Sequence, residues 1–563
     1  MRPNPEHRRG ELKPQSPTIL AALAAVAAVT LVAVSLPALA AAEPATLADG
    51  ASETHDVGGN AAKPDGKLTL DISFGGRFVA EQSGAFAVDA SGAQAPDSVE
   101  IGSRLSLRQV AEATMGGGAM RSQAVVGLEL AHGVFSGRPT LAGDHRPGDV
   151  WSPALLSEAY VAAAIGKEPT GNGVVGLRAG LMLSHWGLGI LANDGRGYLK
   201  GDATSWFSQP YVGDRVLRAA LWSRPFANST SALRGLFVSV AADRVATDDI
   251  LRPAVAPGFF AVHPDDVAWQ GIFAGRFFLN KTDWLGVYYV YRDQKLQSDA
   301  VGAGKGLQIH AVDVAAELDI VRNDRMSLRL SAEAVAITGK TTLGPSPDFP
   351  EHDVAQGAAV GRLDLRMGAT SAMLDLGYFS GDLSTDDGTI GNFKADPNFQ
   401  QGILLFRRVV GWQSARMRLS ASDPNIVGYP NEDLDRLGTG GSITSTITIF
   451  PRIGRRFGMF EAYGGLLIAL SPTPIADPFQ SRTEGGGSPR SVLGGAPNGI
   501  VLGTEVDVGV RAHLPLGQSG TELMAGIEYG VVMPGGVLAG LDDNIMGGRF
   551  TLTLTGDPAA KGR

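Results

Sequence analysis

The sequence predicts a transmembrane antiparallel β-barrel of about eighteen strands. Three observations carry this. Runs of about ten residues alternate polar and apolar side chains along most of the chain, beginning with Lys67-Leu68-Thr69-Leu70-Asp71-Ile72-Ser73-Phe74. A two-residue period gives a strand two different faces, one wet and one oily. The connections alternate between short turns and long polar loops, as in outer-membrane barrels. Finally, the N-terminus reads as a secretory signal followed by no second long apolar run, so any crossing must be made by strands closed into a barrel.

Residues 1–40 form the signal. Arg2, Arg8, Arg9 and Lys13 make a basic start, Ile19 to Leu36 is almost wholly apolar, Pro37 breaks the run, and Ala38-Leu39-Ala40 has the small-x-small form of a cleavage site. This segment is net +2, so from −9 for the whole chain the remainder is −11. That acidity argues against a nucleic-acid partner. The 75 glycines, the 19% of charged residues and the absence of cysteine fit crowded strands and tight turns, and exclude disulfides and thiolate metal sites.

Residues 41–66 read as a periplasmic lead-in, 67–555 as the barrel and 556–563 as a C-terminal tail. Strands are expected at 67–80, 98–110, 121–131, 155–165, 173–184, 214–223, 235–245, 268–279, 284–294, 307–320, 325–338, 356–367, 371–381, 441–453, 458–470, 501–512, 521–532 and 547–555. Short turns fall at 280–283, 322–324 and 368–370; long loops at 185–213, 246–266, 339–354, 382–440 and 471–500 are expected on the extracellular side. The stretch 399–420 has near-helical spacing at Ile403, Phe406, Val410, Met417 and Leu419 and is read as a helix in an outward loop; a hairpin there would make twenty strands.

Parity assigns faces. Val312, Val314, Ala316, Leu318, Leu328, Leu330, Ala332, Ala334, Leu363 and Leu365 are expected to face lipid. The pore-lining set is Glu158, Arg178, Asp313, Glu317, Arg329, Glu333, Arg362, Asp364 and Arg366, a mixed field that either polarises a constriction or forms cross-strand pairs. Phe278 and Trp284, flanking a short turn, are placed where an aromatic girdle would sit. His185 and Trp186 open a long loop directly after a strand and are candidates for the pore mouth. Asp382, Asp386 and Asp387 form an acidic loop whose oxygens suit Ca²⁺ or simply face solvent. No hydrolase, zinc-protease or complete P-loop motif is present, Gly187-Leu188-Gly189 is a lone glycine pair, and the nine histidines lack metal-ligand spacing. The chain is therefore read as a non-enzyme without a cofactor.

Glu158-Ala159-Tyr160-Val161, then Leu177-Arg178-Ala179-Gly180 running into His185-Trp186-Gly187, resembles large Gram-negative outer-membrane porins of the alginate-export type. Gly377-Tyr378-Phe379-Ser380-Gly381-Asp382 and Asp396-Pro397 resemble the same group. The resemblance implies eighteen strands and passive passage of an anionic sugar polymer through an Arg-lined lumen. The chain departs from the group in carrying Leu181 where an Arg is usual, and in its mixed inward charge. The resulting expectation is an outer-membrane channel for diffusion or export of small polar solutes or saccharides, contacting lipid and inserted by the barrel-assembly machinery. The alternative is a non-conducting barrel for structure or surface-polysaccharide attachment. An energy-coupled receptor is excluded because about 26 residues precede Lys67 after the signal, too few for a plug domain.

Overall fold

Eighteen strands close on themselves in the computed structural model, which describes residues 67–556 except 96, 98, 116–118, 137–150, 167–173, 198–200, 210–212, 247–266, 297–303, 343–348, 383–386, 422–438, 440, 487 and 517–520. The signal segment, the lead-in at 41–66 and the tail beyond 556 lie outside the described residues. In chain order the strands are β1 (Lys67–Ser83), β2 (Glu100–Met115), β3 (Met120–Ser136), β4 (Ser152–Ile165), β5 (Val175–Leu183), β6 (Arg215–Ser223), β7 (Leu236–Val245), β8 (Val267–Phe278) and β9 (Trp284–Leu296). They continue as β10 (Lys305–Arg322), β11 (Met326–Thr341), β12 (His352–Met367), β13 (Thr370–Phe379), β14 (Thr446–Phe457), β15 (Phe460–Leu470), β16 (Val501–Leu516), β17 (Thr521–Pro534) and β18 (Ile545–Gly556).

Each strand pairs antiparallel with its sequence neighbour, and β1 pairs with β18 from Phe74 opposite Gly556 to Ser83 opposite Gly547. Closure leaves no free edge, so every strand has a partner on both sides. The eighteen expected strands match these within a few residues. A two-residue strand, Thr389–Ile390, adds parallel to Asp353 and Val354 but is not a barrel member. One irregularity has a chemical cause: Pro451 has no N–H, and the β14–β15 ladder omits Phe450 and Pro451.

The outer face is a belt of exposed aliphatic and aromatic side chains. Leu105, Leu177, Leu221, Val240, Val312, Leu363, Ile453, Val508 and Ile527 are each more than a third exposed. A soluble monomer does not carry an apolar surface that circles the molecule. In lipid that surface is satisfied, which makes the fold a transmembrane barrel. The parities expected for β10, β11 and β12 hold: Asp313 and Glu333 are buried inside while Val312 and Leu363 stand in the outer belt.

Two aromatic assignments are overturned. Trp284 and Phe278 are in register opposite each other, and Trp284 is buried against Trp186, ring centroids 5.6 Å apart. Both therefore point inward and not to a lipid girdle. Parity explains it, because Trp284 shares the face of Tyr288 and Val290, which are buried within the barrel. The helix expected near 402–418 is present, as a π-helical turn α1 (Leu405–Val410) running into α2 (Gly411–Ala421), which rules out the twenty-strand hairpin. Its expected position outside the barrel is overturned. Residues 403–412 are buried against the inner wall.

Candidate functional site

The lumen is crossed by two inward segments, each held by carboxylates of the wall. The first leaves β5 and returns at β6. Its opening turn lies over β10 and β11, where Glu333 accepts hydrogen bonds from the backbone N–H groups of Gly189 (2.8 Å) and Ile190 (3.2 Å). The glycine pair makes this approach achievable. Gly187 and Gly189 have φ of +55° and +83°, and a Cβ on Gly187 would stand 2.6 Å from Glu333 Oε2. Trp186 donates from Nε1 to Asp313 (3.2 Å), stacks on Tyr288 and meets Trp284 edge-on. Arg276 lies over both indoles, 4.6 and 4.5 Å from the ring centroids.

The segment then runs to the far wall. Asp202 caps the short helix Ala203–Ser205 and receives Arg366. Trp206 lies flat on Tyr463 at 5.0 Å, Phe207 donates its N–H to Glu528 (3.1 Å), and Arg77 on β1 donates to the Ser208 carbonyl (3.0 Å). Phe207 adopts φ +59°, a left-handed conformation held by these contacts on both sides.

The second segment leaves β13 and returns at β14. It is anchored by Glu505 of β16, which accepts from the N–H groups of Ile403 (2.6 Å), Leu404 (2.7 Å) and Leu405 (2.8 Å). These donors are the open start of α1, so a carboxylate there satisfies groups the helix cannot and meets its positive end. Gly402 at φ +73° again supplies the clearance, since a Cβ would lie 2.6 Å from Glu505. Arg407 and Arg408 then pair with Glu81 on β1, and Arg408 also reaches Glu100 on β2 (2.5 Å). The two segments touch: Asn193 N–H donates to Asp396, and Gln209 and Gln400 exchange two hydrogen bonds.

The inward charges proposed from the sequence are largely paired. Arg362 binds Asp375 through two hydrogen bonds, and Arg452 joins the same carboxylate. Arg329 bridges Glu317 and Asp319, and Arg366 bridges Asp364 and Asp202. Glu158 binds Arg108 and Arg196. Arg178 is exposed, in register with Ala162 and Ala220. His185 sits 3.6 Å from Asp194, while Trp186 is buried inside as described. Asp382 accepts from Gly391 N–H and Asp387 from Thr389 N–H; Asp386 lies outside the described residues. Among the described residues no group of three or more His, Asp or Glu could hold a metal ion.

Glu505, Glu528 and Glu81, which hold the inward segments, were missed in the sequence. The signal existed: Glu505 and Asp507 alternate with Val506, Val508 and Val510, the same parity that exposed Asp313. What could not be read is which loop each carboxylate meets.

A cavity of about 200 Å³ remains on one side of the lumen, between the inward segments and the inner wall of β6 to β12. It is lined by Val216, Val245, Val290, Ile309, Ile337 and Val354 from the wall and by Leu191 and Ile390 from the segments, with Gln270, Gln356, Tyr288, Asp214, Arg292 and Lys394 among its polar groups.

A closed barrel of this size with an apolar belt defines the class: a transmembrane β-barrel of the outer-membrane kind. No protein-family model matches the chain, and no curated protein matches it. Similar solved structures are Pseudomonas aeruginosa OpdK with vanillate (10% identity, TM-score 0.45, covering 86% of this chain and 98% of that one), P. aeruginosa OccK9, also called OpdG (11%, 0.45, 86% and 98%), and Acinetobacter baumannii OccAB4 (10%, 0.44, 86% and 97%). The fold assignment itself stands on the register and closure of the strands.

Proposed function

We propose that the protein is an outer-membrane channel for passive diffusion of small solutes, with its passage displaced to the β6–β12 side of the lumen. The observation that carries this is the cavity left there beside the two inward segments. Barrels of sixteen to eighteen strands have room for an aqueous path. Two anchored segments across it favour small solutes over a saccharide polymer. The paired charges favour weak selection by charge, because a pore selects strongly only where one sign lines it. The pore-lining roles of Glu158, Arg178, Asp313, Glu317, Arg329, Glu333, Arg362, Asp364 and Arg366, the pore-mouth role of His185, and the extracellular position of the long loops belong to the same proposal.

Purified protein in a planar bilayer tests it. Stepwise conductance that falls with solute size is the expected result. A folded preparation that conducts at no applied voltage overturns the channel and leaves the structural or attachment barrel.

A further inference from the structure

The inward face changes character along six of the seven strands β6 to β12; β8, which places Gln270 in the lining, is the exception. Along β6 it passes from Arg218 to Val216, and along β7 from Asp243 to Val245, with Val216 in register with Val245 and Arg218 with Asp243. Along β9 it passes from Tyr288 to Val290, along β10 from Asp313 to Ala311 and Ile309, and along β11 from Glu333 to Val335 and Ile337. Along β12 it passes from Asp364 and Arg362 to Val360, Ala358 and Val354, with Gln356 between the last two. Stability in lipid requires an apolar outer face and makes no such demand of the inner one. This aliphatic band packs partly against the inward segments, through Ile190 and Phe393, and the part they leave uncovered bounds the cavity.

We propose that the cavity bounded by this band binds uncharged, apolar-bodied solutes about one ring in size. This deepens the channel reading by naming what the passage holds, and it rests on that reading only for its part in transport. Volume and lining both point to this class. An apolar protein cavity of about 150 Å³ accommodates benzene, and this one is about 200 Å³. Its walls are mainly Val, Ile, Leu and Ala, which a sugar would bury its hydroxyls against at a cost. Three charged side chains reach the lining, of both signs, and none is without a partner: Asp214, Arg292 and Lys394 all make polar interactions within the protein. Arg292 for one donates to Gln294 Oε1. The lining thus carries one acid and two bases, each already engaged by the protein before a solute arrives. The neutral groups Gln270, Gln356 and Tyr288 stand around the apolar surface and suit a solute with one hydroxyl or carbonyl.

The test is calorimetric titration of the detergent-solubilised protein with benzyl alcohol, its charged counterparts benzoate and benzylamine, and glucose. Saturable binding of benzyl alcohol is expected, with benzoate and benzylamine weaker by about tenfold or more and no binding of glucose. Ala311→Leu and Val216→Phe fill the cavity from different strands, and each should abolish the benzyl alcohol signal. Heat-modifiable gel mobility checks that each variant is folded. Absence of benzyl alcohol binding overturns the site, as does unchanged binding in folded filled variants. Benzoate or benzylamine binding as tightly as benzyl alcohol overturns the assignment to uncharged solutes. Conductance is measured separately on the same preparations. Conductance without benzyl alcohol binding sinks the site and spares the channel; benzyl alcohol binding without conductance supports the site and sinks the channel.

Discussion

Glu505 is the side chain whose removal should most clearly loosen the lumen without damaging the barrel. Its carboxylate accepts three backbone N–H groups, at 2.6, 2.7 and 2.8 Å, and is itself fully buried. Glu505→Ala leaves those donors without the carboxylate that accepts all three. A buried donor left without a partner costs about 1–3 kcal/mol. Three donors at one helix start share some of that cost through local relaxation, so about 3–6 kcal/mol is a fair range for the segment. The loss is local, because β16 keeps its ladder to β15 and β17 and because Arg407 and Arg408 still hold Glu81 and Glu100. At 1.4 kcal/mol per decade, hydrogen exchange of the 403–405 amides should speed up by roughly 10² to 10⁴. Amides of the barrel strands should keep their protection. Glu505→Gln, which retains one acceptor oxygen, should fall between. Exchange at 403–405 that is unchanged in a folded Glu505→Ala protein would refute the claim that this carboxylate holds the segment.

Leu330→Arg and Val314→Arg place charge in the outer belt, each at about 2–4 kcal/mol near the bilayer midplane, and should lower folding yield into lipid vesicles, whereas Ser331→Arg, on the inner face opposite Glu317 and Arg362, should fold; equal yields for all three would disprove the facing. Neutralising Arg329, Arg362 and Arg366 together takes the Arg partners from Glu317 and Asp364 and leaves Asp319 with Arg322 alone, so the reversal potential in a salt gradient should move toward cation selectivity. Asp477 caps the short helix Pro478–Thr483, and burial pushes its carboxyl up to about 6 from an ordinary 3.8, against the pull of the Gln480 N–H. A carboxyl raised on folding favours the folded loop most below the unfolded value, and that advantage is lost as pH rises from about 4 to about 6, by roughly 3 kcal/mol at 1.36 kcal/mol per unit. Protease resistance of the 471–500 loop should therefore decline over that window in the native chain and stay level in Asp477→Asn; parallel profiles would count against it.

Strands were legible because lipid imposes a strict two-residue rule on one of their faces. A single polar residue out of phase in β10 or β11 would put a charge in hydrocarbon, so Val312, Asp313 and Val314 could be placed on sight. Loops obey no such rule. The spacing of Ile403, Phe406 and Val410 announced a helix but not where it would lie, because an apolar helix face is satisfied equally by a lumen wall or by another loop. The partner that decided the matter, Glu505, is about a hundred residues away. Trp284 was misplaced for a related reason. Aromatic residues near a turn suit a lipid interface, and only the parity of Trp284 with Tyr288 shows that this one belongs to the inside. Gly187-Leu188-Gly189 looked uninformative until Glu333 was seen beneath it.

The segment between β5 and β6 is fixed to β10 and β11 by Asp313 and Glu333 and to β1 and β17 by Arg77 and Glu528, on different parts of the circumference. In mechanical terms it is a spoke in a hoop. A closed sheet one strand thick resists stretching along its hydrogen bonds but ovalises easily under the sideways squeeze of a bilayer. A member tied to well-separated points of the rim limits that freedom. The tie between Phe207 and Glu528 spans 321 residues, so it forms only when the last strands have been laid down. Until then the hoop is softer, and a chain cut short before β17 would lack the Glu528 tie and hold that end of its spoke only through Arg77, Tyr463 and Arg511.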